Sequence, residues 1–113
     1  MRKVNLLQEA SKVPEYWGRT TPLQFNDYDV HVNRIKGEYV WHSHADTDDV
    51  FLVLAGRVTM QLRTGDVELE AGEMFVVPAG IEHCPRADDE ALIMNIEPHD
   101  TAASGDAGGA GSL

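Results

Sequence analysis

A chain of 113 residues, 42% hydrophobic and 25% charged, suffices for one domain with a core and leaves little room for a second. Nineteen Asp and Glu against nine Lys and Arg give a formal net charge of -10, which argues against nucleic-acid binding and disfavours anionic membrane surfaces. The single cysteine, Cys84, excludes an internal disulfide and a multi-thiolate metal site, so any metal would have to be held by imidazole and carboxylate.

Met1 to Asn5 lead into an amphipathic segment and not into a signal-peptide apolar run. No apolar stretch approaches the roughly 18 residues of a membrane helix. A cytoplasmic location is therefore expected. Val4, Leu6, Leu7, Ala10 and Val13 are spaced for a short helix over 3–13, ended by Pro14. Pro14, Gly18 and Pro22 mark 14–24 as an irregular lead-in, so 1–24 reads as an N-terminal helix and lead-in.

From about residue 25 the texture changes to short strands. Tyr28 to Ile35, Glu38 to His44, Val50 to Leu54, Arg57 to Arg63, Val67 to Leu69, Met74 to Val77 and Ala91 to Glu97 are each bounded by Gly, Pro or Asp. Arg57 to Arg63 alternates apolar with polar residues, as a strand with one buried face does. Thr64-Gly65-Asp66 reads as a hairpin connection. Many short strands at this spacing predict an all-β sandwich or barrel over 25–100. The tail, 101–113, is mostly Gly, Ala and Ser. It has almost no apolar mass to offset its ordering entropy, and disorder is expected there.

His42-Ser43-His44 follows an apolar, aromatic run. In a strand, residues two apart share a face at roughly 6.5 to 7 Å, close enough for two imidazoles to converge on one ion. Alone the pair is a weak signal. Pro78-Ala79-Gly80-Ile81-Glu82-His83 places another histidine just after a tight turn, also weak alone. Gly56 and Gly72 between them make the set more specific.

Together these residues resemble the cupin family, of the small single-domain kind. Gly37 to Gly56, with His42, His44 and Asp49, is similar to the first cupin motif: glycine, HxH, an acid, six residues and a glycine. Gly72 to His83 is similar to the second: glycine, five residues, Pro-x-Gly, two residues and histidine. The resemblance covers roughly Tyr28 to Pro98. It implies a double-stranded antiparallel β-helix, the cupin or jelly-roll barrel, with a metal near one mouth.

Carried over by position, it implies His42, His44 and His83 as metal ligands and Asp49 in the family's glutamate place. Three features depart from the pattern. Asp49 is one methylene short of glutamate. Four residues instead of five separate Gly37 from His42. Ala87 stands where the second motif ends in asparagine. Asp48 fits a shorter spacing, but Asp49 keeps the glycine interval and the strand parity.

The resemblance implies one divalent transition metal (Fe, Mn, Ni, Zn or Cu) and a small-molecule ligand or substrate. The expected function is a metalloenzyme of the dioxygenase, isomerase or lyase type. The alternatives are a non-catalytic ligand-binding module and a barrel with a structural metal. A homodimer is expected by family analogy, with Trp17 and Trp41 as packing or interface residues. Among the rest, His31 is expected on an outer face, His99 in solvent and Cys84 as a buried inert thiol. Met60, Met74 and Met94 read as core filler, and Phe51 and Val53 share the inward parity of Asp49.

Overall fold

The computed structural model describes residues 1–105. The described chain runs α1 (Leu6–Ser11), β1 (Arg19–Phe25), β2 (Tyr28–Glu38), β3 (Asp49–Ala55), β4 (Arg57–Leu62), β5 (Gly65–Glu70), β6 (Met74–Val77) and β7 (His83–Pro98). All strand pairings are antiparallel. The order is β1-β2-β7-β3-β6, with β4 joining β7 to β5. This is the expected cupin-type all-β barrel with one short helix. None of the described helices is long and apolar enough to cross a membrane.

The helix is shorter than the 3–13 expected. Asn5 caps it by accepting from Gln8 N at 3.0 Å, which satisfies one of the free amides of the first turn. The chain leaves the helix after Ser11 because Pro14 has no N–H to offer Ala10 O and disfavours helical backbone at Val13. Arg34 Nε donates to Val13 O at 2.7 Å and Nη2 to Pro14 O at 2.9 Å.

The stretch read as an irregular lead-in is largely β1. Pro22 and the threonines hide it, but β1 lies at the sheet edge and shifts register between Thr20 and Leu23, where a proline is tolerated. The opposite correction applies to 38–44. β2 ends at Glu38, and the following segment meets β7 through Tyr39 N, which donates to Pro85 O at 3.0 Å, and through an isolated bridge, His42 to His83. The hairpin between β4 and β5 is as expected, with Leu62 paired to Gly65.

Two apolar clusters hold the layers together. One fills the barrel with Ile35, Phe51, Val53, Val58, Met60 and Ile93 among others. The other lies on the outer face of β2 and β7, where Val30, Val32, Leu92 and Met94 meet Ala10 and Val13. β2 is therefore buried on both sides, with Val30 and Val32 under the helix and Asp29, His31 and Ile35 on the other face. Met60 and Met94 are core residues, but Met74 is 57% exposed on β6 and does not fill the core. Its partner across the sheet is Leu52, and its side faces away from the barrel. Of the expected disordered tail, 106–113 lies outside the described residues. Residues 101–105 turn back along the barrel mouth, where Arg19 Nη2 donates to Thr101 O at 3.0 Å.

Candidate metal centre

His42 and His83 lie directly opposite each other. Each backbone N–H donates to the other's carbonyl, at 3.0 and 2.9 Å, and the ring centroids are 4.2 Å apart. Both rings are fixed in the same way. His42 Nδ1 lies 2.9 Å from Val40 O and His83 Nδ1 2.9 Å from Ile81 O. A carbonyl only accepts, so Nδ1 carries the proton and Nε2 presents a lone pair.

His44 shares their side, with its ring 5.2 Å from His42 and 5.9 Å from His83. Its carbonyl accepts from Gly80 N at 2.8 Å, which ties the first motif to the Pro-x-Gly turn of the second. Asp48 and Asp49 separate as strand parity requires. Asp48 Oδ1 accepts from Ala79 N at 2.9 Å. Asp49 opens β3 facing inward, its Oδ2 3.2 Å from His44 Nε2 and 3.9 Å from His83 Nε2.

All four side chains are buried, and one ligand-type atom from each lies within 4.8 Å of the others. His44 Nε2, His83 Nε2 and Asp49 Oδ1 have no hydrogen-bond partner among the described residues. Orphaning a buried polar atom costs about 1–3 kcal/mol. A cation between them would satisfy several at once, and three imidazoles with one carboxylate are a donor set for divalent transition metals. Burial pushes the His42 pKa down to about 4 and lowers that of His83. Both rings are therefore neutral at pH 7, as ligation demands.

Glu97, Arg19 and His31 were not anticipated beside the cluster. Glu97, near the end of β7, places Oε1 3.1 Å from Arg19 Nη1 and 3.4 Å from His31 Nε2, and Oε2 3.9 Å from His44 Nε2. Burial, then the Asp49 charge, pushes Glu97 up to about 8. His31, expected on an outer face, is buried, its Nδ1 2.8 Å from Thr21 Oγ1. The reason is that the outer face of β2 is taken by Val30 and Val32 under the helix, so the odd positions turn inward.

Beside His42 and Asp49 is a cavity of about 40 Å³ whose wall includes Trp17, Arg19, Asn33, Tyr39, Phe51 and Ile93. Trp17 stacks on Tyr39 at 4.7 Å and donates from Nε1 to Lys36 O at 2.8 Å. It is thus a wall of this cavity as well as a packing residue. Trp41 is covered by Arg63, whose guanidinium carbon lies 3.7 Å from the ring centre. Cys84 is buried, and burial raises its thiol pKa. The exposed His99 ring meets Asp29 at 3.1 Å.

Comparison with known proteins agrees with this architecture. A protein-family model described as "Cupin domain" matches residues 29–97. Uncharacterized protein YdbB of Bacillus subtilis strain 168 is 32% identical over 84 residues, covering 74% of each chain. The crystal structure of a cupin-2 domain containing protein from Shewanella frigidimarina superposes with a TM-score of 0.81 at 41% identity, over 84% of this chain and 93% of that one. Hydroquinone 1,2-dioxygenase from Sphingomonas sp. TTNP3, with 4-hydroxybenzoate bound, shares the fold at 17% identity and a TM-score of 0.70, over 83% of this chain and 73% of its own. The matched family model, the relatives and the barrel agree: this chain belongs to the cupin domain family.

Proposed function

We propose that His42, His44, His83 and Asp49 hold one divalent transition metal and that the protein is a metalloenzyme acting on a small organic molecule. One observation carries this reading: three buried imidazoles and a carboxylate converge with unpartnered atoms facing one another. Fe, Mn, Ni, Zn and Cu all suit such ligation. Bound there, the metal would supply Lewis acidity toward a carbonyl or hydroxyl oxygen, or oxygen chemistry if it is iron.

The chain's own residues set the conditions. Val40 O and Ile81 O hold two imidazoles in the tautomer that leaves Nε2 free. Phe51 and Ile93 keep one side of the cavity dry, and the indole of Trp17 closes another. Glu97, fixed by Arg19, has its pKa raised by burial and the Asp49 charge, so in the metal-free barrel it keeps a proton beside Asp49 at neutral pH. Dioxygenase, isomerase and lyase reactions all fit these parts. The same fold in a dioxygenase that binds 4-hydroxybenzoate shows only that the barrel can host such chemistry.

Elemental analysis of protein purified without added metal, beside the His42→Ala/His83→Ala double variant, tests the reading. Stoichiometric metal in the parent chain and none in the variant is expected. A metal-free parent that takes up nothing on titration would sink it.

The homodimer is proposed on a separate feature. Met74 and Val76 are exposed on β6 at the sheet edge and pair with Leu52 and Val50 of β3, forming an apolar strip that a second copy would cover. Sedimentation equilibrium on the parent chain and Val76→Lys should show a dimer that the charge dissociates.

A further inference from the structure

Two residues that line the cavity carry polar atoms with no part in the proposed centre. Tyr39 Oη and Asn33 Oδ1 are buried, and neither has a hydrogen-bond partner among the described residues. The Asn33 amide is oriented by Nδ2, which donates to Gly18 O at 3.3 Å and leaves Oδ1 as the free end. The Tyr39 ring is clamped between Trp17, stacked at 4.7 Å, and His42, met edge-on at 5.5 Å. Burial raises the phenol's pKa, so Oη keeps its proton. Both residues border the same cavity as His42, Asp49 and Glu97.

The hydrogen-bond inventory restricts what can fill this space. Asn33 Oδ1 only accepts, so the group facing it must donate. Tyr39 Oη can donate or accept. A hydroxyl meets both requirements. A carboxylate has no proton for Asn33, and a bare ketone has none either. Arg19, the cation that would attract an anion, is already engaged: Nη1 with Glu97 Oε1 at 3.1 Å and Nη2 with Thr101 O at 3.0 Å. Size adds a limit. One water needs about 10–15 Å³ of such space, so about 40 Å³ suits roughly three to four non-hydrogen atoms.

We infer that this cavity selects a small, neutral, hydroxylated organic ligand. Its hydroxyl donates to Asn33 Oδ1 and accepts from Tyr39 Oη, and its other end points toward the three histidines. The assignment of a reacting end rests on the proposed metal centre, while the hydroxyl preference rests on Tyr39 and Asn33 alone.

The test compares ethylene glycol, acetone and acetate by amide chemical-shift titration of the zinc-loaded protein, with zinc uptake measured separately by calorimetry. These probes have the same number of non-hydrogen atoms and differ in the group offered to Tyr39 and Asn33. Ethylene glycol is expected to bind saturably and at least about fivefold more tightly than either of the others, the factor that follows from leaving a buried polar group unpaired. Tyr39→Phe and Asn33→Leu should each shrink that preference while zinc uptake stays unchanged. Equal binding of the three probes, no saturable binding of ethylene glycol, or a preference untouched in both variants overturns the inference. Absence of zinc uptake by the parent chain overturns the metal reading instead. The same three probes on the metal-free barrel then decide the hydroxyl preference.

Discussion

Asp49 Oδ2 lies 3.2 Å from His44 Nε2, within ion-pair distance, yet His44 Nε2 makes no aligned hydrogen bond. The aspartate is one methylene short of the glutamate usual at this position, and it still reaches the histidine cluster because it opens β3 beside the segment that carries His44. The fourth side chain is therefore close enough to matter to an ion. Asp49→Asn should keep one metal per chain and weaken zinc binding at least 10–100-fold, the range that loss of even a residue orienting a metal ligand costs. Calorimetric titration checks it, and unchanged affinity would place the carboxylate outside the coordination sphere.

Metal removal should be felt by the whole fold. A metal that binds only the folded chain stabilises it by about 2.7 kcal/mol at a free concentration a hundred times Kd. In a domain of this size that is a Tm difference on the order of 10 °C. Thermal melts with and without a chelator should show it in the parent chain. In the His42→Ala/His83→Ala variant the difference should vanish.

The metal-free protein should lose stability on both sides of an intermediate pH. His42 is lowered from 6.5 to about 4, so folding favours its neutral form. Its contribution is complete above 6.5 and is lost as pH falls through 4. Glu97 is raised from 4.5 to about 8, so folding again favours the neutral form. Its contribution is complete below 4.5 and is lost as pH rises through 8. Urea midpoints should therefore fall toward acid and toward alkali, and Glu97→Gln should flatten the alkaline limb alone. A cation bound beside Glu97 favours its charged form. Metal uptake near pH 7 should then release protons, seen as a heat of binding that depends on the buffer.

Two motif glycines should differ in what they tolerate. Gly56 has φ 82°, and a Cβ there would lie 2.8 Å from Glu90 O and 3.0 Å from Ala91 Cα. Gly72 has φ 87° with nothing within 4 Å. Gly72→Ala should cost about 1 kcal/mol, the lower end for left-handed backbone. Gly56→Ala should cost about 3 kcal/mol or more, because overpacking against β7 adds to the strain. Chemical denaturation of the two variants separates the terms.

The histidine cluster was legible because its members sit beside turn residues at fixed intervals: His42 and His44 after Gly37, His83 after Pro78 and Gly80. The surrounding polar shell was not. Glu97 shares parity with Ile93 and Asn95, and His31 with Asn33 and Ile35, so the alternation was present. What the sequence lacks is a sign for which face of β2 points inward, since Val30 and Val32 are buried too, under α1. β1 stayed hidden because Thr20, Thr21 and Pro22 look like a loop until the register shift that admits the proline is seen.

The longest strand carries a further consequence. β7 holds His83 at one end and Glu97 near the other, and between Ala87 and Ala91 it bends through the exposed residues Asp88, Asp89 and Glu90. The bend spans an even step, so Ala87 and Ala91 fall on one side and inward positions remain inward beyond it. The elbow is thus a counting device. Deleting Asp89 alone would rotate everything downstream by half a period, offering Leu92, Met94 and Ile96 to the cavity in place of Ile93, Asn95 and Glu97. Deleting Asp88 and Asp89 together would shorten the elbow and preserve the order of faces. Variation in its length among functional barrels should therefore come in pairs.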